Sequence, residues 1–291
     1  MQTKEIVKNV LAILPKTKKI LNAGNVEIKE KTGLGNVVTN IDVQLENYLR
    51  TALLEIFPEA QVIAEESADS QVVLQDGGLK FVLDPLDGTT NFTNGWPHTI
   101  SIGIVNENTL VGGVIYDVME NKVYSGMKDY GVIQCDIDDI TNIQMVKKPT
   151  YDKDNIKKAL ISYDTPYGAE AYKITQKMCS ELYHSGASLK TVGPISLDVL
   201  KTALGKENRP CDYNCATWHS EVRAWDLAAA TCILRELGGE IIGKDGKPLS
   251  TETLTNPLSK IAFIASGNEK LLHQLYEKYQ IANKDEIELT K

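Results

Sequence analysis

The chain has 291 residues, 42% of them hydrophobic and 24% charged, enough for one large domain or two closely packed halves around a buried core. Its 31 basic and 39 acidic residues leave a formal charge of -8. An acidic surface repels nucleic acid and anionic lipid, so neither is expected as a partner, and a bound anion must find local positive charge at a metal ion or a helix N-terminus.

From the N-terminus, Ile6, Val7, Val10, Leu11, Leu14 and Leu21 fall on one side of an amphipathic helix over residues 4–22, which Pro15 interrupts. The stretch 26–37 carries Gly33 and Gly35, has few large apolar residues and reads as a mobile loop. A second helix spans 41–57 and stops before Pro58. Residues 61–64 form a short buried strand ending in Glu65-Glu66, and 81–83 another ending in Asp84. Strands at 100–105, 111–116 and 122–125 follow as an antiparallel meander, in which Gly112-Gly113 marks a bulge or close packing.

The polar stretch 136–154, with Pro149, is the expected boundary between an N-terminal half, 1–147, and a C-terminal half, 148–291. The second half reads as a strand at 159–163, helices at 169–182 and 196–204, and a polar loop over 205–215. A strongly apolar helix at 226–237 follows, then a strand at 261–265, a helix at 269–279 and a frayed charged tail from Asn283. The order describes a layered α/β architecture with largely antiparallel sheets. Cys135, Cys179, Cys211, Cys215 and Cys232 find no histidines at zinc-site spacing and read as reduced thiols. No signal-peptide core opens the chain and no apolar run reaches membrane-spanning length, so the cytoplasm is the expected location.

The most informative segment is Asp84-Pro85-Leu86-Asp87-Gly88-Thr89-Thr90-Asn91-Phe92. Two aspartates three apart follow an apolar strand, Pro85 fixes the turn, and Gly88 lets the backbone approach a ligand. If a helix starts there, the Gly88 and Thr89 N–H groups suit phosphate oxygens. Magnesium takes hard carboxylate oxygens, water and substrate phosphate. Taken singly, each acid also has a plainer reading. The Asp-Pro-Gly string is a surface turn, Glu65 and Glu66 are solvated loop acids, Asp226 after Trp225 is a helix N-cap, and Asp42 is a first-turn acid answering the helix dipole.

Together, Glu65-Glu66-Ser67, the string from Asp84 to Phe92, and Trp225-Asp226 resemble the inositol monophosphatase family. The resemblance covers nearly the whole chain, through Val38-Thr39-Asn40-Ile41-Asp42, Ser101-Ile102-Gly103, Val192-Gly193 and Glu236-Leu237-Gly238-Gly239. It implies an αβαβα sandwich and a homodimer. It also implies a magnesium-dependent phosphatase of small phosphate monoesters, an inositol monophosphate foremost. Fructose 1,6-bisphosphate and 3′-phosphoadenosine 5′-phosphate are the alternative substrates, and a non-catalytic binding or regulatory relative is the alternative of another class.

By the same resemblance, Glu65, Asp84 and the Leu86 carbonyl hold one Mg2+ ion, Asp84, Asp87 and Asp226 a second, and a third lies near Glu65. Thr89, Asp42 and Glu65 orient the attacking water. The Gly88 and Thr89 N–H groups cradle the phosphate, with Asp87 and Asp226 beside the substrate. Lys31 falls where the family places a lysine near the metals, and Ile195 narrows the pocket. Six residues before Trp225, where the family has a glutamate that accepts from a ring hydroxyl, this chain has His219, with Glu221 as the neighbouring acid. His98 reads as structural, His184 and His273 as helix-surface residues, and Cys232 as helix core.

Overall fold

In a computed structural model, residues 2–31, 37–68, 75–157, 159–166, 168–191, 193–209 and 213–284 are described. The amphipathic N-terminal pattern folds as α1 (Thr3–Ile13), a 3-10 turn (Leu14–Lys16) that takes in Pro15, and α2 (Thr17–Leu21). The stretch expected as a loop instead pairs β1 (Ile28–Glu30) antiparallel with β2 (Val37–Thr39). β1 is exposed throughout, so no apolar alternation announces it. Gly33 and Gly35 lie outside the described residues, as do Val192, Cys211 and the tail from 285.

α3 (Asn40–Ile56) starts on a capping box, in which the Thr39 hydroxyl accepts from the Ile41 N–H and Asp42 accepts from the Thr39 N–H. The first sheet then builds from β3 (Gln61–Ala64), β4 (Leu79–Asp87), β5 (Thr99–Asn106), β6 (Thr109–Asp117), β7 (Lys122–Met127), β8 (Gly131–Asp136) and β9 (Asp139–Met145), in that spatial order. A short helix, α4 (Thr89–Thr93), sits between β4 and β5. β3 and β4 are parallel and the remaining pairs antiparallel. β4 runs past its expected end at Asp84 to Asp87, because the register slips between those two residues and Pro85 falls in the slip. β8 and β9 are additions. The polar, largely exposed β9 falls where a boundary is expected, since an edge strand buries too little to show apolar alternation.

The second half contributes β10 (Leu160–Tyr163), α5 (Ala169–His184), β11 (Ser188–Lys190), α6 (Ile195–Asn208), β12 (Ala216–Val222), α7 (Ala224–Glu236), β13 (Glu240–Gly243), α8 (Thr251–Thr255), β14 (Ile261–Ser266) and α9 (Glu269–Ala282). The second sheet has the order β11-β10-β12-β14-β13, with β10 parallel to both neighbours and β14 antiparallel to both of its own. The expected loop over 205–215 begins later, because α6 continues to Asn208 across a break at Gly205.

Five layers result. α1 and α3 cover the outer face of the first sheet, α6 and α7 lie between the sheets, and α5 and α9 cover the outer face of the second. Three apolar clusters fill the gaps between layers. This is the αβαβα sandwich that the resemblance implies.

The depth of α7 is set by a lane of glycines. Gly103, Gly113 and Gly126 stand side by side on β5, β6 and β7. A Cβ at Gly103 would come within 2.5 Å of Ala228 Cβ, one at Gly113 within 2.2 Å of the Ala229 carbonyl oxygen, and one at Gly126 within 2.9 Å of Ile233 Cα. Without side chains in that lane, the helix backbone lies directly on the sheet. The close packing expected at Gly112-Gly113 is thus found at Gly113, and the bulge lies beside Gly112, between Ile104 and Val105 in the register with β6.

Candidate active site

Strand ends bring the acids together. Parallel pairing sets Ala64 beside Leu83, and the Glu65 N–H donates to the Leu83 carbonyl at 3.2 Å, so Glu65 and Asp84 leave adjacent strands side by side. Asp84 faces Ser101 across β4 and β5. The Ser101 hydroxyl donates to the Trp225 carbonyl at 3.2 Å, which ties the start of α7, and so Asp226, to the same edge. Carboxylate oxygens of Asp84, Asp87 and Asp226 all lie within 4.8 Å of one another, and all three residues are buried.

Each acid has one side fixed by backbone. Asp84 Oδ1 accepts the Leu86 N–H at 2.9 Å. Asp87 accepts the Ile195 N–H at 3.3 Å and the Ser196 N–H at 2.7 Å, satisfying first-turn donors of α6. Asp226 Oδ2 accepts the Arg223 N–H at 2.7 Å. Burial, followed by Glu65, Asp87 and Asp226, pushes the Asp84 carboxyl well above the usual carboxylate range. Burial, then Asp87 and Glu65, does the same to Asp226. Burial raises Asp87 to about 7 against the lowering pull of Ser196. Three hard-oxygen ligands crowded below 4.8 Å and desolvated together are suited to a divalent cation such as magnesium, whose charge offsets theirs.

Beside the trio stands a second pair. Thr89 Oγ1 donates to Asp42 Oδ1 at 2.7 Å, although 47 residues separate them, and contacts the Leu86 carbonyl at 3.3 Å. Asp42 Oδ2 accepts both the Thr39 N–H, at 2.8 Å, and the Thr39 hydroxyl, at 2.5 Å. Gly88 precedes α4 with φ of 91°, in the left-handed region, and a Cβ there would meet Pro194 Cγ at 2.9 Å. Glycine is therefore required twice over, by conformation and by space.

The remaining expected residues are placed as follows. Glu65 falls outside the close trio, and its Oε1 takes the Lys31 ammonium at 2.7 Å, as does Glu66 Oε1. Ile195 is half-buried and contributes its N–H to Asp87. His219, expected at the substrate rim, is 2% exposed and stacks on Phe263 with ring centroids 5.1 Å apart. The alternation of β12 turns it inward, as it turns Thr217 toward Thr202 of α6. Its Nε2 is buried without a hydrogen-bond partner among the described residues, and burial lowers its pKa to about 3, so the ring is neutral. Glu221 pairs with Lys260. His98 is buried, with Nδ1 2.8 Å from the Trp96 carbonyl and Phe92 edge-on. His184 and His273 are exposed, and Cys232 is buried in α7. Sequence reasoning missed the backbone donors of Ile195 and Ser196. Their signal is the start of a buried helix after Pro194, but its aim at Asp87 depends on how α6 packs.

A profile of the inositol monophosphatase family matches residues 2–283. Inositol monophosphatase 1 of Bos taurus is 28% identical over 259 residues, covering 87% of this chain and 85% of that protein. The Nus factor SuhB of Escherichia coli K12 is 27% identical over 216 residues, 74% of each chain. Among solved structures, the extragenic suppressor protein suhB of Bartonella henselae superposes with a TM-score of 0.77 at 21% identity, over 94% of this chain and 98% of that one. An IMPase/NADP phosphatase complexed with NADP and Ca2+ gives 0.76 at 20% identity, over 96% of both. At such identities these two likenesses concern the fold. The profile match leaves almost none of the chain outside it, and the protein belongs to the inositol monophosphatase family, magnesium-dependent phosphoric monoester hydrolases.

Proposed function

We propose that this phosphatase hydrolyses small phosphate monoesters of the inositol monophosphate type by direct attack of water. The observation that carries the reading is the buried trio of Asp84, Asp87 and Asp226 beside the Asp42–Thr89 pair. The trio, with Glu65 and the Leu86 carbonyl, would hold two or three magnesium ions. When bound, they supply Lewis acidity toward the phosphate ester and water. Asp42 accepts the Thr89 proton, which leaves a Thr89 lone pair to accept a hydrogen bond from water. Thr89 and Asp42 thereby orient the water with Glu65 and receive its proton. The Gly88 and Thr89 N–H groups would cradle the phosphoryl oxygens at the turn that the left-handed Gly88 makes into α4.

Where the resemblance puts a carboxylate for a ring hydroxyl, this chain has His219, which is buried under Phe263 and leaves that hydroxyl without the charged acceptor. Ile195 adds an apolar edge. Preference for inositol 1-phosphate over other sugar or nucleotide phosphates is therefore weakened. The homodimer and the cytoplasmic location implied by the resemblance belong to the same reading.

The test is phosphate release from inositol 1-phosphate, fructose 1,6-bisphosphate, glycerol 2-phosphate and 3′-phosphoadenosine 5′-phosphate, in magnesium and in chelator. Release abolished by chelator and restored by magnesium is expected, with kcat/KM values for inositol 1-phosphate and its competitors within about tenfold. Equal release in chelator would remove the mechanism. A relative named as a Nus factor raises a non-catalytic reading. That reading requires no release from any ester, and the complete acid set argues against it.

A further inference from the structure

Lys31 directly follows β1, and its ammonium sits 2.7 Å from Glu65 Oε1 and 2.7 Å from Glu66 Oε1. The two acids are neighbours in sequence and differ in what holds them. Glu65 stands beside Asp84 at the strand ends, where its charge is one of those that raise the Asp84 and Asp226 carboxyls. Glu66 belongs to the scaffold, because its N–H donates to Glu46 Oε2 at 2.7 Å, and Glu46 on α3 is in turn met by Arg50 at 3.5 Å. Arg50 also reaches the Val62 carbonyl, at 3.2 Å, and Ser67. Lys31 therefore shares one acid with the site and one with the framework of α3 and β3.

We propose that Lys31 is a tethered cation that competes with magnesium for Glu65, and that Glu66 is the retained partner that lets Lys31 give Glu65 up. The inference rests on the reading of Glu65 as a metal ligand. An ammonium is a compact charge on a flexible stem. A divalent ion taking Glu65 repels an ammonium at ion-pair distance from the same carboxylate. With Glu66 anchored, Lys31 has a second carboxylate within its present reach, so leaving Glu65 does not strand its charge. Removing Lys31 and removing Glu66 must then have opposite effects on metal affinity. Without Lys31, Glu65 is unopposed. Without the Glu66 charge, Lys31 has Glu65 alone and holds it more tightly.

The experiment is a magnesium titration by calorimetry, without substrate, of the wild type, Lys31→Met, Glu66→Gln, the double variant and Glu65→Gln, with the metal-free Tm of each as a check on folding. Lys31→Met should lower the magnesium Kd about fivefold and Glu66→Gln raise it about threefold, as loss of a half-buried ion pair allows. In the double variant the Kd should lie within about twofold of Lys31→Met, because Glu66 acts through Lys31. The proposal is overturned if Lys31→Met leaves the Kd unchanged or raises it, or if Glu66→Gln weakens binding equally with and without Lys31. An unchanged Kd in Glu65→Gln removes the ligand reading of Glu65 and this inference with it. A weakened Glu65→Gln beside an unaltered Lys31→Met removes this inference alone.

Discussion

Asp42 and Asp226 each divide two carboxylate oxygens between a helix start and the site. Oδ2 of Asp42 completes the Thr39 capping box while Oδ1 takes the Thr89 hydroxyl. Oδ2 of Asp226 takes the Arg223 N–H while the residue closes the acid trio. The plain reading as helix-start acids and the functional reading are therefore compatible. Asp226→Asn separates them, since an amide oxygen can still accept from Arg223. Turnover should fall by more than about 100-fold, the upper end for groups that merely support a ligand, while the metal-free Tm is no lower than in the wild type because one of three crowded charges is gone. Near-normal turnover would leave Asp226 a capping residue and nothing more. Asp198 offers a separate test away from the trio. It is 1% exposed, its Oδ2 has no hydrogen-bond partner among the described residues, and burial raises its pKa to about 7. The native state thus keeps a proton that the unfolded chain releases near its ordinary pKa of 3.8. The stability tied to that proton is complete below about pH 4 and is lost as pH rises to about 7. Asp198→Asn has no such loss. Its stability relative to wild type, from thermal melts, should climb between pH 4 and 7 and level off above, by an amount of order a few kcal/mol at about 1.4 per pKa unit. A pH-independent difference would show that Lys190 and Lys201, which oppose the shift, dominate.

At the scale of elements, α7 decides where Asp226 stands. Its position along the sheet is tied by Ser101 to the Trp225 carbonyl and its depth by the Gly103, Gly113 and Gly126 lane. A methyl at Gly113 would meet backbone of α7 at 2.2 Å, which no side-chain rotation relieves. Gly113→Ala should therefore cost about 1–3 kcal/mol or more by overpacking and, in the folded fraction, weaken magnesium binding by displacing Asp226. Gly112→Ala is the control. Its Cβ would face the opposite side, with Ile104 Cδ1 at 3.2 Å, Ile104 Cβ at 3.4 Å and Val7 Cγ2 at 3.5 Å, side-chain atoms at longer range rather than helix backbone. Thermal melts and magnesium titrations of both variants check this, and equal effects at the two positions would count against the lane. The Gly-Gly pair was legible as a place of bulge or close packing, but which helix presses on it was not, because α7 lies more than 100 residues further along the chain.

Across the whole molecule, residues from β3, β4, α3 and α7 must be held together against their mutual repulsion, so folding and metal binding are coupled. Magnesium at 100 times its Kd should stabilise the protein by about 2.7 kcal/mol. Melting curves in chelator and in magnesium measure the shift, and its absence in wild type would deny the trio a cation. Calcium should also raise the Tm without supporting turnover, since its looser coordination does not hold an in-line geometry. Sequence alone determined the α/β layering, the meander, the buried helices and the list of acids, because apolar periodicity and short motifs are local properties. It left β1 and β9 unseen, since exposed strands carry little apolar signal, and β12 unseen within a stretch read mainly for its histidine. Tertiary structure decided which acids meet. Asp84, Asp87 and Asp226 converge with Asp42–Thr89, Glu65 is drawn to Lys31, and His219 is turned under Phe263. Those outcomes depend on strand register and on the packing depth of α7, which join residues far apart in the chain and which no local pattern encodes.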